Sequence, residues 1–266
     1  MDPQLDFIED KDIYYIYEDN PITDEMLEEM KKYKKVCFGD SFNQPIDNIP
    51  NTITQLNFGY SFNQSLDNLP STIQSIYFGT NNKFIQPLDN LPEGLLELEL
   101  NSCVNFNHPI NKLPSSLQIL KLGCEFQQSV DYLPPNLKYL SFGWYYDTPI
   151  DNLPASLEEL YFGEKFNQSV DFLPEGLKKL VFGSYFDKSV DNLPLELKYL
   201  TFGFYFNQPI DNLPKGIESL VFDHHFNQSL NNLSCGIKQI ILKKNGEFNK
   251  LLDVNKLSKG ILVEYV

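Results

Sequence analysis

The sequence contains no arginine at all; its 21 basic residues are all lysine. That excludes arginine fingers and the bidentate guanidinium clamps that hold phosphates and carboxylates. Cysteine is scarce: Cys37, Cys103, Cys124 and Cys235 stand alone, none in a C-x-x-C pair, and only His108, His224 and His225 accompany them. A structural zinc site is not expected from such spacing, and reduced thiols are the plain reading. Cys103 and Cys124 occupy nearly the same place in successive stretches of sequence, so a disulfide between them is an alternative. No apolar run reaches the 18 residues that a membrane span needs. The first thirty residues carry no basic segment leading into an apolar one, which argues against a secretory signal.

Basic charge is also outnumbered. The net charge is −15 over 266 residues. Residues 1–32 hold eleven acidic residues and three lysines, a net of −8. Such a chain repels phosphate backbones, so nucleic acid and anionic membranes are poor partners; a docking tail for a basic protein partner is the alternative reading of the acidic N-terminal segment. Patterns for Ser-His-Asp, Cys-His, H-E-x-x-H or phosphate-loop chemistry are missing. We therefore expect no catalytic, cofactor or metal residues. The His224–His225 pair reads as surface histidine.

Aromatic residues, by contrast, make up 14% of the chain, almost all of them Phe and Tyr. Their spacing is the dominant feature. An aromatic recurs at Phe42, Phe62, Phe84, Phe106, Phe126, Tyr146, Phe166, Phe186, Phe206 and Phe226, with a degenerate copy at Phe248. The interval is 20 residues, lengthening to 22 after Phe62, Phe84 and Phe226. The unit reads F-N-Q-[PS]-[ILV]-D-x-L-P-x-x-[LI]-x-x-[LI]-x-F-G-x-x. A repeat of this length cannot bury its apolar side chains alone and needs a neighbour on each side.

Each unit has two physical halves. In Leu177–Gly183 the alternation of Leu180 and Phe182 has the period of a short strand with one inward face. Glycine ends it, for a positive φ or a tight approach of backbones. One strand per turn, aligned in parallel, follows. The other half, F-N-Q-P-I-D-N-L-P, is interrupted twice by proline and rich in turn formers, so it is a non-helical return segment. The asparagine after the aromatic (Asn43, Asn63, Asn107, Asn167, Asn207, Asn227, Asn249) reads as a ladder satisfying backbone groups in its own turn and the next. The aspartates at Asp47, Asp67, Asp89, Asp131, Asp151, Asp171, Asp191 and Asp211 read as turn caps for backbone N–H groups. Asn111 and Asn231 take the same position, so an acceptor matters there more than charge. Stacked carboxylates that invite calcium are the competing reading.

The unit resembles the FNIP repeat, named for Phe-Asn-Ile-Pro and related to the leucine-rich repeat. The resemblance runs over roughly residues 33–247, about ten repeats. It implies a leucine-rich-repeat-like right-handed solenoid with a parallel sheet on one face. Such proteins abound in amoebae and in the large DNA viruses that infect them, which implies an intracellular, cytoplasmic setting, that of the host if viral. Many carry an F-box and look like substrate receptors of ubiquitin ligases; residues 1–40 lack the F-box pattern. Residues 1–32 instead read as an acidic α/β cap, with a strand at Ile13–Tyr17 and a helix capped by Thr23 and ended by Lys31 and Lys32. Residues 248–266 read as a degenerate repeat and C-terminal cap, with a last strand at Ile261–Tyr265 guarded by Lys243 and Lys244.

Constant positions build the framework, so any partner must read the variable ones. On the sheet these are the two positions flanking the second leucine of the strand half. They bring out Tyr77, Tyr139, Tyr161, Val181 and Tyr199, and the following loops add Trp144, Tyr145, Tyr185, Phe204 and Tyr205. An aromatic patch of this kind marks an interaction surface; the alternative is that the rings merely shield the sheet and pack crosswise. The expectation is a non-catalytic protein–protein interaction scaffold. Substrate recognition for a ubiquitin ligase is one alternative, and a structural protein that self-associates as a homodimer is another.

Overall fold

A computed structural model describes residues 11–230, 233, 236–243 and 261–266. Asn231, Cys235, Lys244, Phe248, Asn249 and the degenerate repeat before Gly260 lie outside the described residues.

The strand half of each unit forms one rung of a parallel sheet. The order is β1 (Ile13–Ile16), α1 (Asp24–Met30), β2 (Lys35–Phe38), β3 (Gln55–Phe58), β4 (Ser75–Phe78), β5 (Glu97–Glu99), β6 (Ile119–Lys121), β7 (Tyr139–Ser141), β8 (Glu159–Tyr161), β9 (Lys179–Val181), β10 (Tyr199–Thr201), β11 (Ser219–Phe222), β12 (Gln239–Leu242) and β13 (Leu262–Tyr265). Sequential neighbours pair throughout, in one 13-stranded sheet. This is a leucine-rich-repeat-like parallel β-solenoid of about twelve turns with little helix. Each strand is only three or four residues long because Gly or its equivalent ends it. The register is unbroken: Leu160 stands beside Leu180, Leu180 beside Leu200, and Leu200 beside Leu220. All four are at most 1% exposed.

The aromatics form two columns behind the sheet. The strand-end phenylalanines (Phe142, Phe162, Phe182, Phe202, Phe222) stack at 5.4 to 5.8 Å between ring centroids. The repeat-leading rings stack at 6.1 to 6.4 Å. Between columns, Phe162–Phe166, Phe182–Phe186 and Phe202–Phe206 sit at 3.7 Å. Parallel strands lie about 4.8 Å apart. If rungs were related by translation alone, every equivalent pair would keep that spacing. The spacing instead grows from the strands to the inner rings to the outer rings, so successive rungs are rotated and fan outward. The solenoid bends toward its sheet, which becomes the concave face.

Three details of the repeat gain a reason. A Cβ built on Gly163 would lie 1.8 Å from the Gly143 carbonyl oxygen, and one on Gly143, Gly183 or Gly203 would lie 2.1 Å from the glycine oxygen of the rung before. Close backbone approach, not a positive φ, is what demands glycine there. The asparagine row is a relay between rungs. Along most of the row a side-chain oxygen accepts the backbone N–H of the counterpart one rung on: Asn63 N–H to Asn43 at 2.8 Å, Asn167 N–H to Asp147 at 2.8 Å, Asp187 N–H to Asn167 at 3.0 Å, Asn207 N–H to Asp187 at 2.9 Å, Asn227 N–H to Asn207 at 2.8 Å. Ile85, whose N–H bonds to Asn63 at 2.9 Å, has no oxygen to pass on and interrupts it. Only an oxygen is required, which is why Asp147 and Asp187 serve as well, and why Gln127 passes the relay to Asp147 at 3.3 Å. Asp19 starts it, accepting from Asn43 N–H at 2.8 Å. In the longer turn, Asn81 takes a positive φ of 55° and the buried Asn82 accepts from Phe84 N–H at 2.7 Å while donating to the Gly59 carbonyl.

The aspartate row differs from the expectation of backbone caps. Asp47, Asp131, Asp171 and Asp191 accept the side-chain amide of the asparagine in the next rung (Asn68, Asn152, Asn192 and Asn212), each at 3.0 Å. Their second oxygens take hydroxyl protons where serine precedes, as in Ser129–Asp131 at 2.7 Å and Ser169–Asp171 at 2.8 Å. The carboxylates are thus interleaved with amides. Those amides and hydroxyls hold the Asp131 and Asp171 carboxyls below the ordinary aspartate range.

At the N-terminus, Thr23 caps α1 by accepting from Met26 N–H at 3.3 Å. Met30 is buried, and Met26, Leu27 and Tyr33 pack on the core. The lysines expected in the last helical turn fall just past it, with Lys31 as the C-cap. They pair back to Glu28 and Glu29 at 2.5 and 2.6 Å. The cap strand β1 pairs with β2 and so continues the sheet. Cys103 and Cys124 are free thiols, and burial pushes the Cys103 thiol well above its usual range.

Three outcomes follow from this packing. Gly163→Ala forces two rungs apart and should cost about 1–3 kcal/mol in chemical unfolding. Tyr146, fully buried in the outer ring column, has a hydroxyl with no hydrogen-bond partner of normal geometry. Tyr146→Phe should therefore leave stability unchanged or raise it by about 1 kcal/mol, since an unsatisfied buried hydroxyl is removed. Because the Asp131 and Asp171 pKa values are depressed on folding, their contribution is complete above the unfolded pKa of about 4 and fades as pH falls below it. Unfolding midpoints measured from pH 6 down to pH 3 should drop less in an Asp131→Asn/Asp171→Asn variant than in the parent.

Candidate interaction surface

The strand register sets the variable positions in two rows across the concave face. One row runs Tyr139, Glu159, Lys179, Tyr199, Ser219. The other runs Tyr77, Glu99, Lys121, Ser141, Tyr161, Val181, Thr201, Val221. Tyr139 and Tyr161 meet with ring centroids 5.0 Å apart. Val181 stands beside Tyr161, and Tyr199 beside Lys179. Tyr77 is four rungs from Tyr161 in the same row, with Glu99, Lys121 and Ser141 between them. It does not join the cluster.

Charge threads this face. The Tyr161 hydroxyl donates to Glu159 at 2.6 Å, and the Tyr77 hydroxyl donates to Glu97. Lys121 pairs with Glu99 and points its ammonium at the Tyr139 ring, 5.8 Å from its centroid. Lys179 lies 5.1 Å over the Tyr161 ring. A groove of about 320 Å³ opens between Glu158, Glu159, Lys178, Lys179 and Tyr199. Burial, then the bond to Glu97, pushes the Tyr77 pKa up to about 12. Burial followed by Glu159 raises that of Tyr161, and burial raises that of Tyr139. These phenols stay protonated at neutral pH and act as donors, not as bases.

Exposure separates the predicted residues into two kinds. Tyr77, Tyr139, Tyr161 and Val181 lie down on the sheet and are half-buried, so crosswise packing accounts for part of their presence. Tyr199 is 48% exposed and Trp144 51%. Trp144 and Tyr145 (46%), Tyr185 (43%) and Tyr205 (44%) stand out from the turns that follow the strands. Tyr185 and Tyr205 meet at 5.1 Å with their planes tilted by 46°, and Phe204 meets Tyr205 edge-on at 4.9 Å. The loop rings and the sheet rings make no ring-to-ring contact with each other among the described residues.

Sequence reasoning missed three members of the neighbourhood. Lys165 occupies the same loop position as Tyr145 and Tyr185 and places its ammonium 3.7 Å from the Tyr185 centroid. His225 continues the loop row, 5.2 Å from Tyr205. His224 faces Phe204 at 5.0 Å and pairs with Asp223. For the two histidines, alignment with Phe204 and Tyr205 in the repeat was the available signal. On the convex side Tyr132 and Phe172, 75% and 69% exposed, replace the asparagine that elsewhere bonds to the aspartate row.

No helix among the described residues is long and apolar enough to cross a membrane. No curated protein matches the sequence. Among solved structures the chain is similar to CroV588, a circular leucine-rich-repeat protein of the giant virus CroV, at 33% identity and a TM-score of 0.81. That match covers 92% of this chain and 38% of CroV588, so the chain spans under two fifths of its relative's length. It is also similar in fold to an internalin from Listeria monocytogenes, with 16% identity, a TM-score of 0.63, and coverage of 91% of this chain and 76% of that one. The FNIP repeat matches residues 34–61, 42–81, 126–165, 166–205 and 206–234. With the ring columns in place from rung to rung, and with more than half of its length matched, the chain belongs to the FNIP repeat family.

Proposed function

We propose that this chain is a non-catalytic protein-binding scaffold whose partner lies across rungs β7 to β10 and the loops that follow them. Leucine-rich-repeat-like scaffolds of this kind typically bind proteins on their concave surfaces. The observation that carries the reading is the concentration of exposed aromatics on one stretch of an otherwise uniform framework: Tyr199 on the sheet and Trp144, Tyr145, Tyr185 and Tyr205 on the turns. Rings with few rotatable bonds, held by a rigid backbone, supply contact area at low entropic cost, which suits them to anchor a partner. The tyrosine hydroxyls and the Glu158–Lys178 and Lys179–Glu159 pairs around the groove give a polar surround of the kind a protein interface needs. Self-association through the same rings would use the same surface. Nothing in the site favours recruitment to a ubiquitin ligase over any other partner.

The test is a Trp144→Ala/Tyr161→Ala/Tyr199→Ala variant. It should keep the circular dichroism of the parent and lose the partner that the parent retains in affinity capture from native cell extract. A folded variant that captures the same partner undiminished would overturn this surface. Light scattering on the parent separates the two uses: a dimer that the triple variant dissociates would assign the rings to self-association.

A further inference from the structure

The turns after β7, β9 and β10 present Tyr145, Tyr185 and Tyr205 at one repeat position, with Trp144 and Phe204 at the position before. Backbone bonds from the preceding rung hold them: Tyr145 N–H to Cys124 O at 3.1 Å, Tyr185 N–H to Glu164 O at 2.9 Å and Tyr205 N–H to Ser184 O at 2.9 Å. The ridge is therefore rigid before any ligand arrives. One of its ring faces already holds a cation. Lys165, whose own N–H bonds Trp144 O at 2.9 Å, rests its ammonium 3.7 Å from the Tyr185 centroid. At that distance the ring quadrupole attracts the charge directly. A second lysine lies over a loop tyrosine at a different pair of repeat positions, with the Lys83 ammonium 4.7 Å from the Tyr60 centroid.

We infer that this loop ridge is a receptor for cationic side chains, and that the segment it takes is an extended, arginine- or lysine-bearing stretch of a protein partner. Two further observations select that occupant. The chain carries a net charge of −15, so a basic segment is drawn to it and an acidic one is repelled. The chain also contains no arginine of its own, so the cations it can lay on these rings are ammonium groups. A guanidinium is planar, less strongly hydrated and stacks on ring faces, and so competes well for them. Lys165 acts in the free protein as a stand-in for the ligand on the Tyr185 face. The incoming cation displaces it or takes the face of Tyr145; Tyr205 already lies between Tyr185 and a stacked His225.

This inference rests on the loops being part of the partner surface proposed above. Its test uses the full chain and a fluorescent twelve-residue probe of alternating Arg and Gly/Ser, read by anisotropy at pH 7.5 and constant salt. The control probe replaces each arginine with citrulline, which keeps the shape and removes the charge. The arginine probe should bind more tightly than the citrulline probe. Tyr185→Leu and Tyr145→Leu should each weaken it about two- to fivefold, the worth of one exposed ring, while Tyr185→Phe, which keeps a ring face, should retain most of the affinity. Lys165→Gln should tighten binding by vacating the Tyr185 face. Lys188→Gln, the same charge change at an exposed position one residue past Asp187, should tighten it less. Equal binding of the two probes, indifference to both leucine variants in folded protein, or an equal gain from Lys165→Gln and Lys188→Gln would each overturn the inference. If the probe arm fails while the Trp144/Tyr161/Tyr199 variant still loses its partner, the ridge alone is wrong and the scaffold reading stands.

Discussion

One rung of this chain has no inside. Its phenylalanines, its leucines and its aliphatic return residue become buried only when the next rung lays the same residues on top of them. Every other feature depends on that mutual coverage. Burying a phenylalanine is worth about 2–3 kcal/mol, and each rung contributes two aromatic or aliphatic partners to columns that run the length of the sheet. The rungs must come close for the rings to meet, and glycine at the strand end lets the backbones do so. Close rungs in turn strand a backbone N–H in each return loop, and a relay of side-chain oxygens answers it in two runs, from Asp19 to Ile85 and from Asn107 to Asn227, interrupted where Ile85 has no oxygen to offer. Packing, glycine and relay are one arrangement seen at three positions of the repeat.

The same arrangement shapes the surface. The ring columns advance 5.4 to 6.4 Å per rung against about 4.8 Å for the strands, so the back of the solenoid spreads while the sheet stays tight. The solenoid bends around its strands, and the variable side chains end up on the inside of the curve. A framework that consumes its constant residues internally leaves only the variable ones to meet a partner. Those on β7 to β10 and their turns are aromatic, and several are served by lysines of this chain. Tyrosines whose hydroxyls are bonded to glutamate, and rings with ammonium groups over them, form a surface that recognises polar and cationic groups as well as apolar ones.

Particular residues show how far the sequence was readable. The inward placement of Leu180 and Phe182 follows from alternation alone, and Thr23 announces the start of α1. The asparagine ladder was legible as a ladder, yet its tolerance of Asp147 and Asp187 makes sense only once the bond is seen to need an oxygen and nothing more. The aspartate row was read as capping backbone because a carboxylate three residues before a proline does so in isolation; here Asn68, Asn152, Asn192 and Asn212 reach it first from the next rung, twenty-one residues away. Tyr139 and Tyr161 were marked as outward, which they are, but their mutual contact lays them against the sheet. Lys165 went unnoticed because nothing in a linear pattern says that a lysine will fold over a tyrosine twenty residues later.

The sequence by itself determined the repeat, its period, the strand in each turn, the inward faces and the family to which the chain belongs. It could do so because these are consequences of residue type at fixed spacing, repeated often enough that no single exception matters. The tertiary structure alone decided the curvature, the partners of the aspartates, the exposure of each aromatic and the seating of Lys165 on Tyr185. Those depend on distances between rungs, which are set by how the rings pack and how closely the backbones approach in three dimensions and cannot be read from the order of residues along the chain.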